Sequence, residues 1–422
     1  MRLLFTLLSL GISVAQAAPT IPEPLTLQQA LTFASESHPQ QQLINADLRS
    51  AEAAARIQQQ SRGISVDLNG RIRWKELQQS GSERNDNELA LIARKPLYDF
   101  GRSALAEEIA AGAVEEQRAL QREAVEQRKL LIMERFFAVL EADLQRTVDD
   151  EVMTIAYLRF KKKEDKIITG EYSELDLLQG ESRFQDALAK QKQSEMAQRL
   201  SRIRLADAMN RPGEIPSTLI APLTTPDQIA EQIGGIAVLQ QQLEAENRQL
   251  HRLRQQITQA ERRVAQAKLG NGPELDATVE LLENSLVTSS KDRWRASLLL
   301  EVPLMDNGIN GEQIVQARAQ LHKAEARLEQ QQRTLREQLE QYHLQLKVLK
   351  AQWKADQIAA EYRDIELDRN RALYEQEQQS NLGDALVGIS RSHLRSAKSR
   401  FQAMLVKARI EQLIGKEIVV HE

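Results

Sequence analysis

The spacing of apolar residues along this chain switches repeatedly between steps of three and four and strict alternation. In residues 23–60, Leu27, Ala30, Leu31 and Ala34 recur at helical spacing, and Pro39 either opens a second helix or kinks the first. In 63–74 the period falls to two: Ile64, Val66, Leu68, Ile72 and Trp74 share one face, and Ser65, Asp67, Asn69, Arg71 and Arg73 the other. That alternation predicts a strand with an apolar and a strongly polar side. The polar stretch 75–88 reads as a loop, and a second strand at about 88–98 completes a hairpin with a long, wet tip. From 101 to about 169 the pattern is helical again, with Phe137, Leu140, Leu144, Val148, Val152 and Ile155 marking a seam. At 1.5 Å per residue this is a rod of roughly 100 Å. TGEYSELD (169–176) breaks it at Gly170, Ser173 is placed to cap, and a second helix runs back to about 211.

Pro212, Pro216, Pro222 and Pro226 then interrupt any continuous helix, after which the series restarts. A helix at 238–268 leads to strands at about 273–282 and 294–304. A second rod follows, in which Leu335, Leu339, Tyr342, Leu346, Leu349 and Trp353 step by four and three, a heptad seam. It breaks within 375–384 and returns to 413–417. Gly63 and Gly272, PLYDFG (96–101) and PLMDNG (303–308), and Asp176 and Asp384 recur about half a chain apart, which marks an internal duplication. The expected organisation is a signal peptide at 1–17, a first repeat at 18–211 (helical hairpin about 101–211), a Pro-rich linker at 212–236, a second repeat at 237–417 (helical hairpin about 311–415) and a tail at 418–422.

Composition narrows the picture. Aromatic residues are 4%, charged residues 27% and mean hydropathy −0.47, a mixture suited to long, shallowly packed helices. The net charge of −4 comes from 56 basic and 60 acidic residues with interspersed signs, so no nucleic acid is expected as a partner. The absence of cysteine removes disulfides, thiolate chemistry and a lipid-modified N-terminal Cys. Residues 1–17 combine Arg2, an apolar run from Leu3 to Val14, and Ala15-Gln16-Ala17, a secretory signal cut before Ala18. No other run approaches 18 apolar residues, so the mature chain would enter a membrane only as strands.

Four strands cannot close around a lumen, and an open edge in hydrocarbon would leave N–H and C=O groups unpaired. Three chains of four strands would supply the even number, twelve, that transmembrane barrels use. Trp74 and Trp294 would then stand at the loop end as a membrane girdle. The six histidines are scattered and no carboxylates sit at ligand spacing, so neither a metal nor a cofactor is expected. No catalytic residue is expected either, because nucleophile-elbow, phosphate-loop, zinc-protease and dinucleotide motifs are missing.

LTLQQALTFASESHP (25–39), the twin PLYDFG and PLMDNG junctions, TGEYSELDLL (169–178) and the duplicated element order resemble the TolC-type outer-membrane efflux proteins. The resemblance spans the whole mature chain. It implies an α+β membrane protein: a homotrimer whose twelve-stranded β-barrel in outer-membrane lipid continues as an α-helical periplasmic tunnel. Such a duct conducts substrate passively within a tripartite efflux or type I secretion system. Its partners are a periplasmic adaptor and an inner-membrane pump, proton- or ATP-driven. By resemblance Asp384, and more weakly Asp176, face a pore constriction, although either could instead cap its return helix. Gly170, Tyr172, Ser173, Leu175, Ser380 and Leu382 would lie at tips that receive the adaptor. The chain departs from the family in His38-Pro39, where Asn-Pro is usual, and in EQQSNLGDAL (377–386), where a Gly-rich turn is typical. The alternatives are a periplasmic adaptor or another coiled-coil envelope protein without a channel; the duplication disfavours the adaptor, which has one hairpin.

Overall fold

The twin junctions explain how each strand pair is joined to its rod. Phe100 and Gly101 have φ of 58° and 93°, and Asn307 and Gly308 have φ of 54° and 85°, so two consecutive left-handed residues turn the chain at both places. Glycine tolerates that geometry at the second position of each pair. The preceding aspartate then serves the first turn of the helix. Asp99 accepts from the Gly101 amide at 3.2 Å and from the Ser103 amide at 2.6 Å; Asp306 accepts from the Gly308 amide at 3.0 Å and the Asn310 amide at 2.8 Å. These bonds satisfy N–H groups that a helix start leaves without partners.

The computed structural model describes residues 21–36, 38–76, 83–85, 87–284, 292–376 and 381–418. The expected signal peptide and most of the C-terminal tail lie outside these. The elements run α1 (Leu27–Thr32, extended by one 3₁₀ turn, Phe33–Ser35), α2 (Pro39–Gln60), β1 (Ser65–Arg71), β2 (Trp74–Glu76), β3 (Glu83–Asn85) and β4 (Glu88–Tyr98). They continue with α3 (Arg102–Lys166), α4 (Glu174–Ala208), α5 (Pro226–Gln232), α6 (Ile236–Glu246) and α7 (Arg248–Leu269). The last are β5 (Glu274–Asn284), β6 (Trp294–Glu301), α8 (Ile309–Glu375) and α9 (Leu382–Leu413).

Several expectations are corrected. The first strand stops at Arg71 instead of reaching Trp74: the Asn87 side chain accepts the Arg73 amide at 3.2 Å, which takes that backbone out of the ladder. The stretch read as a loop contains β2 and β3, paired antiparallel with Trp74 opposite Asn85. The single helix expected at 238–268 is two, because Asn247 has ψ of 120° and its side chain caps α7 by accepting from the Leu250 amide at 2.8 Å. The fourth strand ends at Glu301, two residues before Pro303, which has no N–H for a ladder. The Pro-rich segment holds one short helix, α5, started by Pro226 and a Thr225–Gln228 capping box.

The main sheet is antiparallel in the order β1-β4-β5-β6, so the two hairpins join through β4 and β5. Beneath it α3 with α4, and α8 with α9, form two long helical hairpins. At 65 and 67 residues, α3 and α8 are each roughly 100 Å long. The buried core lies at mid-length of the rods. Ile132, Met133, Phe136 and Phe137 of α3 and Leu335, Leu339 and Leu346 of α8 meet Phe401 and Met404 of α9, Leu27 of α1 and Ile229 of α5 there. The Phe137 and Phe401 rings stack with centroids 4.8 Å apart. Arg128, only 7% exposed, donates to the Glu36 carbonyl at 2.6 Å and the Ala208 carbonyl at 3.2 Å, which ties the N-terminal segment and the end of α4 to α3.

Partial burial pushes the Asp99 carboxyl up, and the Ser103 and Gly101 hydrogen bonds outweigh it, so its pKa falls below the ordinary aspartate value. A depressed folded-state pKa gives stability that is present above the unfolded pKa, near about 4, and is lost as pH falls through the folded one. Asp99→Ala is expected to lose about 1 kcal/mol, the usual worth of a helix cap, whereas Asp99→Asn keeps most of the capping. Thermal melts by circular dichroism between neutral and acidic pH check this: the alanine variant should melt lower at neutral pH and converge on the parent as pH falls below about 4.

Candidate functional site

The sheet register sorts most side chains by polarity, the exceptions being Lys95 and Glu283 on the apolar side and Ile92, Leu282 and Leu299 on the polar side. Val66 lies opposite Ala93, Leu68 opposite Leu91, Leu91 opposite Leu281, Val279 opposite Ala296 and Ala277 opposite Leu298. Because neighbours in register project from the same side, these residues form one apolar face across all four strands. Val66, Leu68, Leu281, Leu298 and Leu300 are exposed on it in the single chain, at 54–73% of their full area. The opposite face carries Asp67, Asn69, Arg71, Arg94, Thr278, Glu280, Arg295 and Ser297. Arg71–Glu88 at 3.9 Å and Arg295–Glu280 at 3.5 Å are ion pairs between neighbouring strands. β1 and β6 are the sheet's two edges, each paired on one side only.

Trp294 opens β6 on the apolar face, opposite Leu281, and is 67% exposed. Trp74 is 71% exposed and lies outside the main sheet, in the β2–β3 pair beyond the end of β1. Both therefore stand at the end of the sheet away from the long helices.

The far tips of the hairpins differ from each other. At the first, Gly170 turns the chain at φ of 75°. Ser173 and Asp176 form a capping box: the Asp176 amide donates to Ser173 Oγ at 3.1 Å, and the Ser173 amide and hydroxyl donate to Asp176 Oδ2 at 3.1 and 2.6 Å. These hydrogen bonds, the hydroxyl's first, hold the Asp176 carboxyl below the usual aspartate range. Asp384 is the third residue of α9 yet caps nothing. Its carboxylate pairs with Arg159 of α3 at 2.6 Å, joining the two hairpins. Gly383 makes the approach possible, since a Cβ there would stand 3.1 Å from the Ile155 side chain.

Two clefts flank this contact. One, of about 580 Å³, is lined by Arg159, Lys162, Lys163, Tyr172, Arg183 and Asp384, with the Lys163 ammonium 5.8 Å from the Tyr172 ring. The other, of about 600 Å³, is more apolar and lined by Ile155, Leu158, Tyr374, Leu382 and Leu386. Tyr172 and Leu382 thus reach clefts, while Leu175 is exposed on the outer surface at 77%; Ser380 lies outside the described residues. Among the described residues no group of three or more His, Asp or Glu is arranged to hold a metal, and no helix is long and apolar enough to cross a membrane.

Two features escaped the sequence reading. Arg159 gave no signal, since its partner lies 225 residues away. A second seam on α8 was legible but unread: Leu344, Val348, Ala351, Ala355, Ile358, Tyr362 and Ile365 step by four and three, and all are exposed.

The apolar-faced sheet is thus carried on two long helical hairpins. A family model described as outer membrane efflux protein matches residues 239–383, from α6 through β5, β6 and α8 to the start of α9. Solved structures share the fold across nearly the whole chain. CusC is similar with a TM-score of 0.75 at 16% identity over 96% of each chain. The CmeC outer membrane channel of Campylobacter jejuni gives 0.77 at 13% identity, over 92% of this chain and 85% of that one. The MtrE outer membrane channel of Neisseria gonorrhoeae, in its open state, gives 0.73 at 14% over 93% and 89%. Among curated proteins no sequence matches. The resemblance to outer-membrane efflux proteins is thus carried by the sequence of residues 239–383, and the solved structures show the fold of nearly the whole chain.

The two tip carboxylates should separate in their effect on stability. Asp176→Ala removes the two bonds that Asp176 Oδ2 accepts from the Ser173 amide and hydroxyl, leaving the Asp176 amide on Ser173 Oγ, and should lower the melting midpoint and loosen the first turn of α4 in amide exchange. Asp384→Ala breaks an ion pair with both partners more than half exposed, worth under about 1 kcal/mol, and should leave the midpoint nearly unchanged.

Proposed function

We propose that three copies of this chain close a twelve-stranded barrel in the outer membrane and continue it as a helical tunnel, a duct that passively conducts substrate outward. The observation that carries this reading is the sheet itself: an apolar face fit for lipid, a polar face fit for a water-filled lumen, and two open edges. β4, at 11 residues, has the length that a tilted membrane strand needs. Hydrocarbon offers no water for the free N–H and C=O groups of β1 and β6, so β1 of one copy pairs with β6 of the next. The second seam on α8 supports the same assembly, because a helix apolar along two faces needs two partners. Leu344, Val348, Ile358, Tyr362 and Ile365, each more than half exposed in the single chain, would pack against the neighbouring copy. Full burial is worth about 1.5–3 kcal/mol for a large apolar side chain.

In this reading residues 1–17 direct export, Trp294 and Trp74 sit at the outer rim of the barrel, and the helical tips face the inner membrane. An adaptor would dock at the clefts beside Tyr172 and Leu382, with Gly170, Ser173 and Leu175 at the adjoining turn, and hand over substrate from a pump in an efflux or type I secretion system. Asp384 stands at the narrow end of the tunnel. Its pairing with Arg159 holds it to the α3–α4 hairpin, so opening would exchange that partner. Asp176, occupied in its capping box, takes no part in conduction.

Light scattering corrected for bound detergent tests the assembly. The expected mass is that of three chains, and Ile358→Arg should release folded monomers with unchanged helix content. A parent protein that is monomeric yet retains its β-structure would refute the duct. In planar bilayers Asp384→Asn should alter block by divalent cations, while Asp176→Asn should not; indifference to both would remove Asp384 from the pore.

A further inference from the structure

At mid-length of the rods the end of α9 is pressed against the kink between α6 and α7. Asn247 Nδ2 donates to the Leu413 carbonyl at 2.8 Å, and a Cβ on Gly415, whose φ is 76°, would collide with the Glu246 carbonyl oxygen, so glycine alone permits the approach. This contact bounds a cleft of two lobes that meet at Glu126 and Arg248. One lobe, of about 240 Å³, is lined by Gln249 of α7, Gln338 and Tyr342 of α8, and Gln412 of α9. These side chains are half-buried, and the three amides make no hydrogen bond among the described residues. The other lobe, of about 480 Å³, lies between α3 and α7 and holds Arg122, Arg248 and Arg252. Among the described residues Arg122 has no partner, and Arg248 reaches the Gly415 carbonyl at 3.5 Å but no carboxylate. Arg252 pairs with Glu123 at 3.5 Å, yet its Nε is buried without an acceptor. Because Lys129 holds Glu126 at 2.9 Å, Glu417 is the one carboxylate of this lobe left to balance Arg122 and Arg248.

We propose that this cleft binds an acidic saccharide, with a sugar ring in the amide lobe and a carboxylate on a short arm reaching the arginines of the other. Each glutamine offers a carbonyl acceptor beside an NH₂ donor, which neighbouring sugar hydroxyls match as donor and acceptor. Tyr342 adds an aromatic ring with a hydroxyl at its tip, an apolar body and a polar end together. Guanidinium groups take a carboxylate through paired N–H bonds, and the buried Arg252 Nε is a donor whose unmet bond such a ligand supplies. A peptide fits less well, because few apolar residues line the lobes to receive its side chains: Leu130, Leu335 and Leu413 in the first, Ala119 and Val125 in the second. Leu335 and Tyr342 lie on the α8 seam that faces the belt, so assembly through the second seam leaves the amide lobe open. A polymer of such sugars would hold the rods at mid-length. The site is contained in one chain, so the inference stands apart from the proposed duct, and a monomer that binds the sugar acid leaves it intact.

The test is isothermal titration calorimetry on the purified full-length protein in a detergent without a sugar headgroup. Three probes dissect the two lobes: N-acetylmuramic acid, which carries a lactyl carboxylate on a sugar ring, N-acetylglucosamine, the same ring without the acid, and lactate, the acid without the ring. N-acetylmuramic acid is expected to bind at least about tenfold more tightly than either fragment, the step that one charge-assisted carboxylate contact supplies. Arg248→Gln should bring its affinity down to that of N-acetylglucosamine and leave the neutral sugar unchanged. Gln338→Ala should weaken both sugars and not lactate. Should either variant fail to fold, Arg122→Gln decides, because that side chain is exposed and without a partner among the described residues; it should weaken the acid alone. No heat from N-acetylmuramic acid overturns the proposal, as does equal affinity for N-acetylglucosamine. Lactate that binds as tightly as the sugar acid makes this a plain anion site, and trialanine that does so makes it a peptide site; both overturn the proposal. So does an affinity for the sugar acid that survives Arg122→Gln and Arg248→Gln together.

Discussion

Everything above the helical rods depends on the hydrogen bonds that two strand edges do not make within one chain. A four-stranded sheet pairs its inner strands fully and leaves β1 and β6 each with a free side. In water such an edge costs little. Against an apolar face matched to lipid it becomes untenable, because hydrocarbon satisfies no backbone group. The proposed trimer follows from that conflict, since curvature and pairing together convert an unsatisfied edge into a closed wall.

The helices answer the same demand by different means. α3 and α8 satisfy their own backbones, so what they require is side-chain cover. One seam of α8, including Leu335, Leu339 and Leu346, is covered by the belt formed from α5, α6 and α9, and its second seam awaits a neighbour. Strand pairs and rods are joined at Asp99 and Asp306, whose carboxylates hold the first helical turn while two left-handed residues redirect the chain. The recurrence of PLYDFG and PLMDNG is thus a geometric need met twice. Each half must turn a sheet direction into a rod direction at the same height if sheet and rods are to continue one another.

Local periodicity disclosed most of this fold. Alternation in Val66–Arg71 and Trp294–Glu301 and the four-three steps of the rods reflect short-range geometry that each segment carries by itself. What escaped was set by single side chains or by distance. Asn247 splits a helix through one capping bond, and Asn87 ends β1 through another; neither changes the apolar pattern around it. Apart from Trp74 the β2–β3 pair is polar and so carries no alternation. At the tips, Ser173 was legible as a cap because its partner Asp176 is three residues away. The pairing of Asp384 with Arg159 joins two halves of the chain, and only the fold brings them together.

The claim that neighbouring copies seal the sheet through β1 and β6 can be tested by covalent capture, which the natural absence of cysteine makes clean. Asn69→Cys on β1 would be combined in turn with Arg295→Cys, Ser297→Cys or Leu299→Cys, three positions on the same face of β6. Within one chain these positions are separated by about three strand spacings, roughly 14 Å, too far for a disulfide, which needs Cα atoms within about 7 Å. Mild oxidation in the membrane should therefore give, for at least one pairing, a ladder of linked chains that ends at three copies, with each single-cysteine variant remaining unlinked. Chains that stay unlinked in every pairing, or a ladder that runs past three, would contradict the closure.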